Sequence, residues 1–396
     1  MRTYNNIFEP AIEVQNIKTC ILDASKNGKM KKRCVREVVE NIDEEAENVR
    51  DMMKNHTTVF EKYELCEIHE GIKQKRREIA KPNFKYDQMV QHVLISMIKP
   101  IVMKSLYEYA HGSLPNRGPM QTAQAISKWI RNDPKGTRYC LQMDVHHCYP
   151  SVDQDILIER WHQKVKDADF NIENDKVIRA SPFGLAPGSP TSVWHIHFLF
   201  TPFDHWLSKQ DGVDHNVRHM DDIIIFGSNK KKLHKVERDA IAYMKREYHM
   251  EINHNHQVFP IEWTDRKGRK HGRPLDVCGY LFYREKTILR KSHMIKTTRK
   301  AAKIGKKEKI TFYDGQQLLS HLGWFKHADM YESYLRYIKP YVNVKQLKRM
   351  VSKHTRRENE RNEMEERKRL RQATGGGSRK DYSIPPKEHH RIKGRG

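Results

Sequence analysis

The amino-acid sequence predicts an α+β fold, and three stretches carry the prediction. Residues 31–54, KKRCVREVVENIDEEAENVRDMMK, repeat apolar side chains at helical spacing. Residues 217–227, VRHMDDIIIFG, form two short β-like runs around a pair of aspartates, which reads as a hairpin. Residues 275–291, LDVCGYLFYREKTILRK, read as further short strands ahead of a basic helical region at 296–350.

Each element follows from its residues. Val35, Val38, Val39, Ile42, Ala46, Val49 and Met53 make the apolar stripe of the 31–54 helix. A basic stretch, GIKQKRREIAKP, ends at Pro82, and Pro82 with Asn83 sets a turn before a helix at about Tyr86–Tyr109. His111–Gly118 reads as a loop and Gln121–Ile130 as a short helix. TRYCLQMDV (137–145) is an apolar run closing on Asp144, as in a buried strand. SPFGLAPGSPTS (181–192) is a Gly/Pro loop feeding an apolar helix, and a further helix is expected at Lys231–Tyr248. Beyond Arg356 the chain becomes a charge-rich helix that ends in a Gly-, Ser- and Pro-containing basic segment expected to be flexible.

Composition narrows the class of function. The chain has 396 residues, with 74 Lys and Arg against 50 Asp and Glu, a net charge of +24. That length suits two or three packed subdomains plus tails. The 37% of hydrophobic residues suffices for a core and excludes a wholly disordered chain. No apolar run approaches the roughly 20 residues of a membrane span, and the opening MRTYNNIFEPAIEV lacks the pattern of a secretory signal. Cys20, Cys34, Cys66, Cys140, Cys148 and Cys278 form no CxxC pair, which argues against a zinc knuckle or a disulfide framework and for a reducing, cytoplasmic compartment. The positive excess calls for a polyanionic partner, nucleic acid rather than membrane.

The acidic residues stand out against that background. Asp144 closes a strand, and Asp221 and Asp222 sit at a hairpin tip. Carboxylates carried on strands and gathered by a sheet can hold magnesium, a hard cation that keeps waters and substrate phosphates as its other ligands. Each Asp alone is equally a solvated turn residue; MDD between two β-like runs is the more specific signal.

Taken together the motifs resemble those of reverse transcriptases of the prokaryotic retroelement type, in order, over about residues 70–335. Lys75-x-Arg77-Glu78-Ile79 with Pro82 looks like the basic fingers strand, and SLPNRG (113–118) like the following fingers loop. MDVHHCYPSVDQDIL (143–157) resembles motif A, GLAPGSPTS (184–192) motif B, HMDDIIIF (219–226) motif C and MEINHNHQVF (250–259) the end of motif D. VCGYLFY (277–283) resembles the primer grip. HLGWFKHAD (321–329) resembles a thumb segment of diversity-generating retroelement enzymes, although Val193 stands after Ser192 where those enzymes carry Gln.

The resemblance implies a right-hand polymerase. N-terminal helices and fingers would occupy 1–135, a palm with an antiparallel sheet 136–290 with a fingers insertion around 165–200, a helical thumb 291–355, and a charged helix and basic tail 356–396. It implies two-metal nucleotidyl transfer with two Mg2+ ions, or Mn2+, on Asp144, Val145, Asp221 and Asp222, the three aspartates being catalytic. Lys75, Arg77, Tyr149 and Gly188 would face the nucleotide, Tyr149 as a ring that excludes a 2′-hydroxyl. Ser189, Gly279, Lys296, Arg299, Lys300 and Lys303 would meet the template–primer; Ser189 and Ser192 equally suit capping of the next helix. His195 and His197, two apart in a helix, make poor metal ligands and are read as packing or incidental residues. The implied partners are an RNA template, a DNA or RNA primer, dNTPs and a small accessory protein, without a membrane. The setting is a diversity-generating or related phage or bacterial retroelement. Antiphage defence with a dedicated non-coding RNA, a non-catalytic RNA-binding scaffold, and an RNA-directed RNA polymerase stay open alternatives.

Overall fold

A computed structural model of the chain describes residues 3–60, 63, 65–70 and 75–373. The expected flexible basic segment past residue 373 lies outside them. The chain forms two compact units, Met1–Lys296 with Trp324–Tyr331, and Thr297–Gly323 with Glu332–Gly396.

A five-stranded sheet organises the first unit. Its order is Ala110–His111, His215–His219, Asp222–Gly227, Tyr139–Asp144, Gln257–Pro260. Ala110–His111 runs parallel to its neighbour and the other pairings are antiparallel. The unbroken apolar run Ile223–Phe226 follows from burial on both faces. Leu141, Met143, Ile223 and Ile225 join a core shared with the N-terminal helices and with helices Met89–Ser105 and Ser192–Leu207. Cys140, Ile224 and Phe226 face a second core with helix Pro119–Asn132 and the small sheet Leu275–Val277, Tyr280–Phe282, Thr287–Leu289. Side chains alternate between the faces at the period of two that a strand imposes.

Local chemistry sets several boundaries. Asp153 Oδ1 accepts from the N–H groups of Asp155 and Ile156 and starts helix Gln154–Lys164. Asn229 does the same for helix Lys230–Tyr248, which ends on His249 at φ 53°. The single helix expected over 31–54 is two, Arg33–Glu40 and Ile42–Lys54. At the break the Asn41 N–H and its side-chain amide both donate to the Glu37 carbonyl, at 3.2 and 3.0 Å. Helices Val14–Ser25 and Ala168–Arg179 and strand Gln257–Pro260 were not anticipated.

The second unit is helical, with Ala301, Ile304, Leu318, Ile338, Val342 and Leu347 as its core. Gly315 is tight there: a Cβ would meet Met350 Cε at 2.9 Å. Part of the HLGWFKHAD block belongs to the first unit. Trp324 packs on Tyr280 at 5.5 Å, and the Asp329 N–H donates to the Thr287 carbonyl at 2.7 Å.

Three buried histidines and the half-buried His92 lower the stability of the first unit in acid. Burial lowers His195 and His197 to about 3 and His92 and His111 to about 4. In the unfolded chain each takes a proton near 6.5, whereas the folded chain refuses it until near 3–4. The unfolded state therefore binds more protons between those values, and stability falls as pH drops through 6.5. Each site contributes up to about 1.4 kcal/mol per pH unit. Urea unfolding at pH 7 and pH 5.5 should give a lower midpoint at pH 5.5, and His197→Gln should flatten the difference; a pH-independent midpoint would refute this.

Candidate active site

The end of the Asp144 strand meets the turn of the 215–227 hairpin. Asp144 and Asp222 are direct cross-strand partners, so their Cβ atoms stand roughly 5 Å apart on one face of the sheet. His219 pairs with Asp222, leaving Met220 and Asp221 as a two-residue turn. Met220 has φ 57°. A tight hairpin turn wants positive φ at its first central residue, and a long side chain tolerates it poorly.

Three contacts hold Met220 there. Its N–H donates to the His111 carbonyl at 2.9 Å. Its carbonyl accepts from Arg218 Nη1 at 3.0 Å. Gly112, at φ 114°, leaves room for it, since a Cβ would come within 2.4 Å of Met220 Cγ.

Arg218 is the anchor, and sequence reasoning passed over it. It is 1% exposed and makes a bidentate pair with Asp204, also 1% exposed: Nε to Oδ1 at 2.8 Å and Nη2 to Oδ2 at 2.6 Å. Burial opposes the Arg218 charge, and the Asp204 carboxylate more than offsets it, so Arg218 stays above its ordinary range. His197 completes the clamp. Its Nε2 donates to the Gly112 carbonyl at 2.8 Å and its Nδ1 receives Arg218 Nη2 at 3.4 Å. Asp204 and His197 both lie on helix Ser192–Leu207, so that helix and the turn are locked together.

Asp144 is held from its other side. Asn253 donates its N–H to the Asp144 carbonyl at 2.8 Å and its Nδ2 to Asp144 Oδ2 at 2.5 Å. Asn253 lies in the MEINHNHQVF block but was not singled out. The Val145 N–H donates to the Asp221 carbonyl at 3.2 Å. Val145 has an apolar side chain, so the backbone carbonyl is the oxygen it can offer.

The electrostatics suit a cation. Asp222 is pushed up to about 7 by burial and then by the charges of Asp221 and Asp144; Arg290 opposes this and Asp276 adds to it. Arg290 is itself paired with Asp276. Burial is the larger cause and the neighbouring like charges add to it, which leaves the strand end short of positive charge. Among the described residues no three His, Cys, Asp or Glu side chains form a ready metal cage. The donor set is instead hard oxygen presented from a strand end and a turn, which suits magnesium keeping water and phosphate ligands.

The other predicted residues separate. Tyr149 is half-buried against the main core, its hydroxyl pushed up by burial and by Cys148 and Asp221 nearby. Gly188 is exposed at φ 97°, and a Cβ there would meet the Ala80 carbonyl at 2.5 Å. Ser189 is buried and donates to Gln91 Oε1 at 2.7 Å, and Ser192 donates to the Ala186 carbonyl at 2.8 Å; neither side chain caps the helix. Gly279, at φ 80°, turns with Cys278 between Val277 and Tyr280, close to His293 and Trp324. Lys75 and Arg77 lie on strand Lys75–Ala80, opposite Glu70 and Ile68, with their side chains outside the described residues. Lys296, Arg299, Lys300 and Lys303 share a face of helix Lys291–Gly305, away from its buried Thr297, Ala301 and Ile304. Lys300 bonds Gln317, and Lys307 is taken by Asp314 at 2.7 Å.

Residues 68–262 match the family model described as reverse transcriptase (RNA-dependent DNA polymerase), just under half of the chain. Over that stretch, which holds the five-stranded sheet and all three aspartates, the chain resembles a reverse transcriptase domain. No curated protein matches the chain. Among solved structures it is similar to apo telomerase from Candida tropicalis, with 13% identity over 66% of this chain and 53% of that one and a TM-score of 0.45. It is also similar to telomerase from Candida albicans in complex with a TWJ fragment of telomeric RNA, with 11% identity over 74% and 61% and a TM-score of 0.40. The chain thus spans little more than half the length of these structures. Among the described residues no helix is long and apolar enough to cross a membrane.

Arg218→Met should destabilise the protein by about 3–5 kcal/mol, because it strands a buried Asp204 carboxylate. Arg218→Met with Asp204→Leu should recover part of the loss. Denaturant midpoints check both, and an unshifted midpoint for Arg218→Met would contradict the anchor.

Proposed function

We propose that this protein copies an RNA template into DNA from a DNA or RNA primer with dNTPs. The observation that carries the reading is the Asp144–Asp222 cross-strand pair beside the clamped Asp221 turn, inside a stretch that matches the reverse transcriptase family. Asp144, Asp221, Asp222 and the Val145 carbonyl would hold two Mg2+ ions, or Mn2+. Metal bound there would supply activation of the primer 3′-hydroxyl and stabilisation of the leaving pyrophosphate. Asn253 keeps the Asp144 carboxylate oriented, and the Arg218 clamp keeps the turn in place.

Tyr149 would exclude a ribose 2′-hydroxyl, a reading supported by its packing and by its closeness to the Asp221 charge. Lys75 and Arg77 would bind triphosphate, and Lys296, Arg299, Lys300 and Lys303 the template–primer phosphates. The cellular setting we favour is a phage or bacterial retroelement of the diversity-generating or a related type, with a small accessory protein. The HLGWFKHAD block supports it and Val193 after Ser192 departs from it; a defence role with a dedicated RNA has the same chemistry.

Asp221→Asn with Asp222→Asn should abolish primer extension on an RNA template while leaving RNA affinity intact. Extension by that variant would refute the assignment. Tyr149→Ala should keep dNTP incorporation and gain rNTP incorporation; unchanged sugar selection would remove Tyr149 from the nucleotide site.

A further inference from the structure

A β-hairpin grows from the edge of the central sheet, just past the stretch that matches the family. Its strands are Trp263–Thr264 and Lys270–His271. Over residues 262–273, EWTDRKGRKHGR, five Lys and Arg stand against two carboxylates. The carboxylates are engaged within the hairpin. Asp265 accepts the N–H groups of Lys267 and Arg269 at 2.9 Å each, and pairs with Arg269 at 3.1 Å and His271 at 3.0 Å. Glu262 takes Lys270 at 3.3 Å. Asp265 therefore builds the turn and does not neutralise the tip. Arg266 and Lys267 stand exposed there, and no carboxylate pairs with either among the described residues.

The hairpin also carries an aromatic surface. Trp263 is 43% exposed and stacks on His271 at 4.8 Å and 25°. Arg138 continues the positive surface at the hairpin base. Its carbonyl accepts from the Ile261 N–H at 3.1 Å, and its exposed guanidinium lies over Tyr139 at 5.4 Å. Exposed aromatics interleaved with unpaired cations fit single-stranded nucleic acid, whose bases stack and whose phosphates need positive charge.

The placement keeps this surface away from the chemistry. Pro260 pairs with Tyr139 at the start of the strand that ends on Asp144, roughly 17 Å from the carboxylates at strand rise. We propose that the 262–273 hairpin is a docking surface for single-stranded nucleic acid, with bases on Trp263 and phosphates on Arg266, Lys267 and Arg138. The site goes beyond the polymerase reading, and binding is measured without catalysis, so the two can fail separately.

The test is fluorescence anisotropy of the full chain with a labelled single-stranded RNA, the same sequence as DNA, and the RNA duplex, across a salt series. Trp263→Ala should weaken single-strand binding roughly tenfold and spare the duplex. Arg266→Gln with Lys267→Gln should lower the salt slope by about 1.4, at roughly 0.7 per cation for a single strand. Single-nucleotide addition at saturating primer–template should be unchanged in both. A larger loss on RNA assigns the surface to template, and a larger loss on DNA assigns it to product. Wild-type affinity and slope in both variants, with unfolding midpoints retained, overturn the proposal; so does a loss confined to the charge variant.

Discussion

The buried Arg218–Asp204 pair is the constraint on which the geometry of the aspartate turn depends. Taking two charges out of water costs several kcal/mol per ion, and here both are 1% exposed. Bidentate geometry and further donors to the Met220 carbonyl and His197 offset that cost. The pair ties a strained turn to the helix behind it: Met220 keeps a positive φ because its N–H, its carbonyl and the space beside Gly112 are all committed. Asp221 and Asp222 inherit their positions from that arrangement. An apolar pair of similar volume could fill the same space, but it could not donate to the turn carbonyl.

Charge is divided by sign and by depth. The sheet end gathers three carboxylates, and burial together with the charges of Asp221 and Asp144 pushes Asp222 up to about 7. Like charges gathered this way are unfavourable until a cation arrives, and the proposed chemistry would draw on that electrostatic demand. The N-terminal part of the chain adds a rigid setting. Tyr63, Gln91 and Ser189 form a buried chain of hydrogen bonds, and the Ala80 N–H reaches the Pro187 carbonyl at 2.6 Å. The Gly/Pro loop before helix Ser192–Leu207 is thereby fastened to the end of the Lys75–Ala80 strand.

Much of this was legible in the residues. The strand closing on Asp144, the MDD hairpin and the helices at 121–130 and 231–248 stand nearly where their patterns place them, because hydrophobic period and turn chemistry are local signals. The break at Asn41 was hidden because Asn is compatible with either state. Helix Ala168–Arg179 was missed because its buried positions include Glu173 and Asn174, which blur the apolar stripe. The bond from Ser189 to Gln91 was not legible because the two residues lie far apart in the chain.

By itself the sequence determined the α+β class, the order of the motifs and the three aspartates, since each rests on residues close together in the chain. Only the tertiary structure decided what holds those aspartates. Arg218, Asp204, His197, Gly112 and Asn253 come from separate segments, and their roles arise from pairings of buried polar groups across the fold. No local pattern encodes such pairings: a buried arginine and a surface arginine are the same letter until the chain closes around one of them.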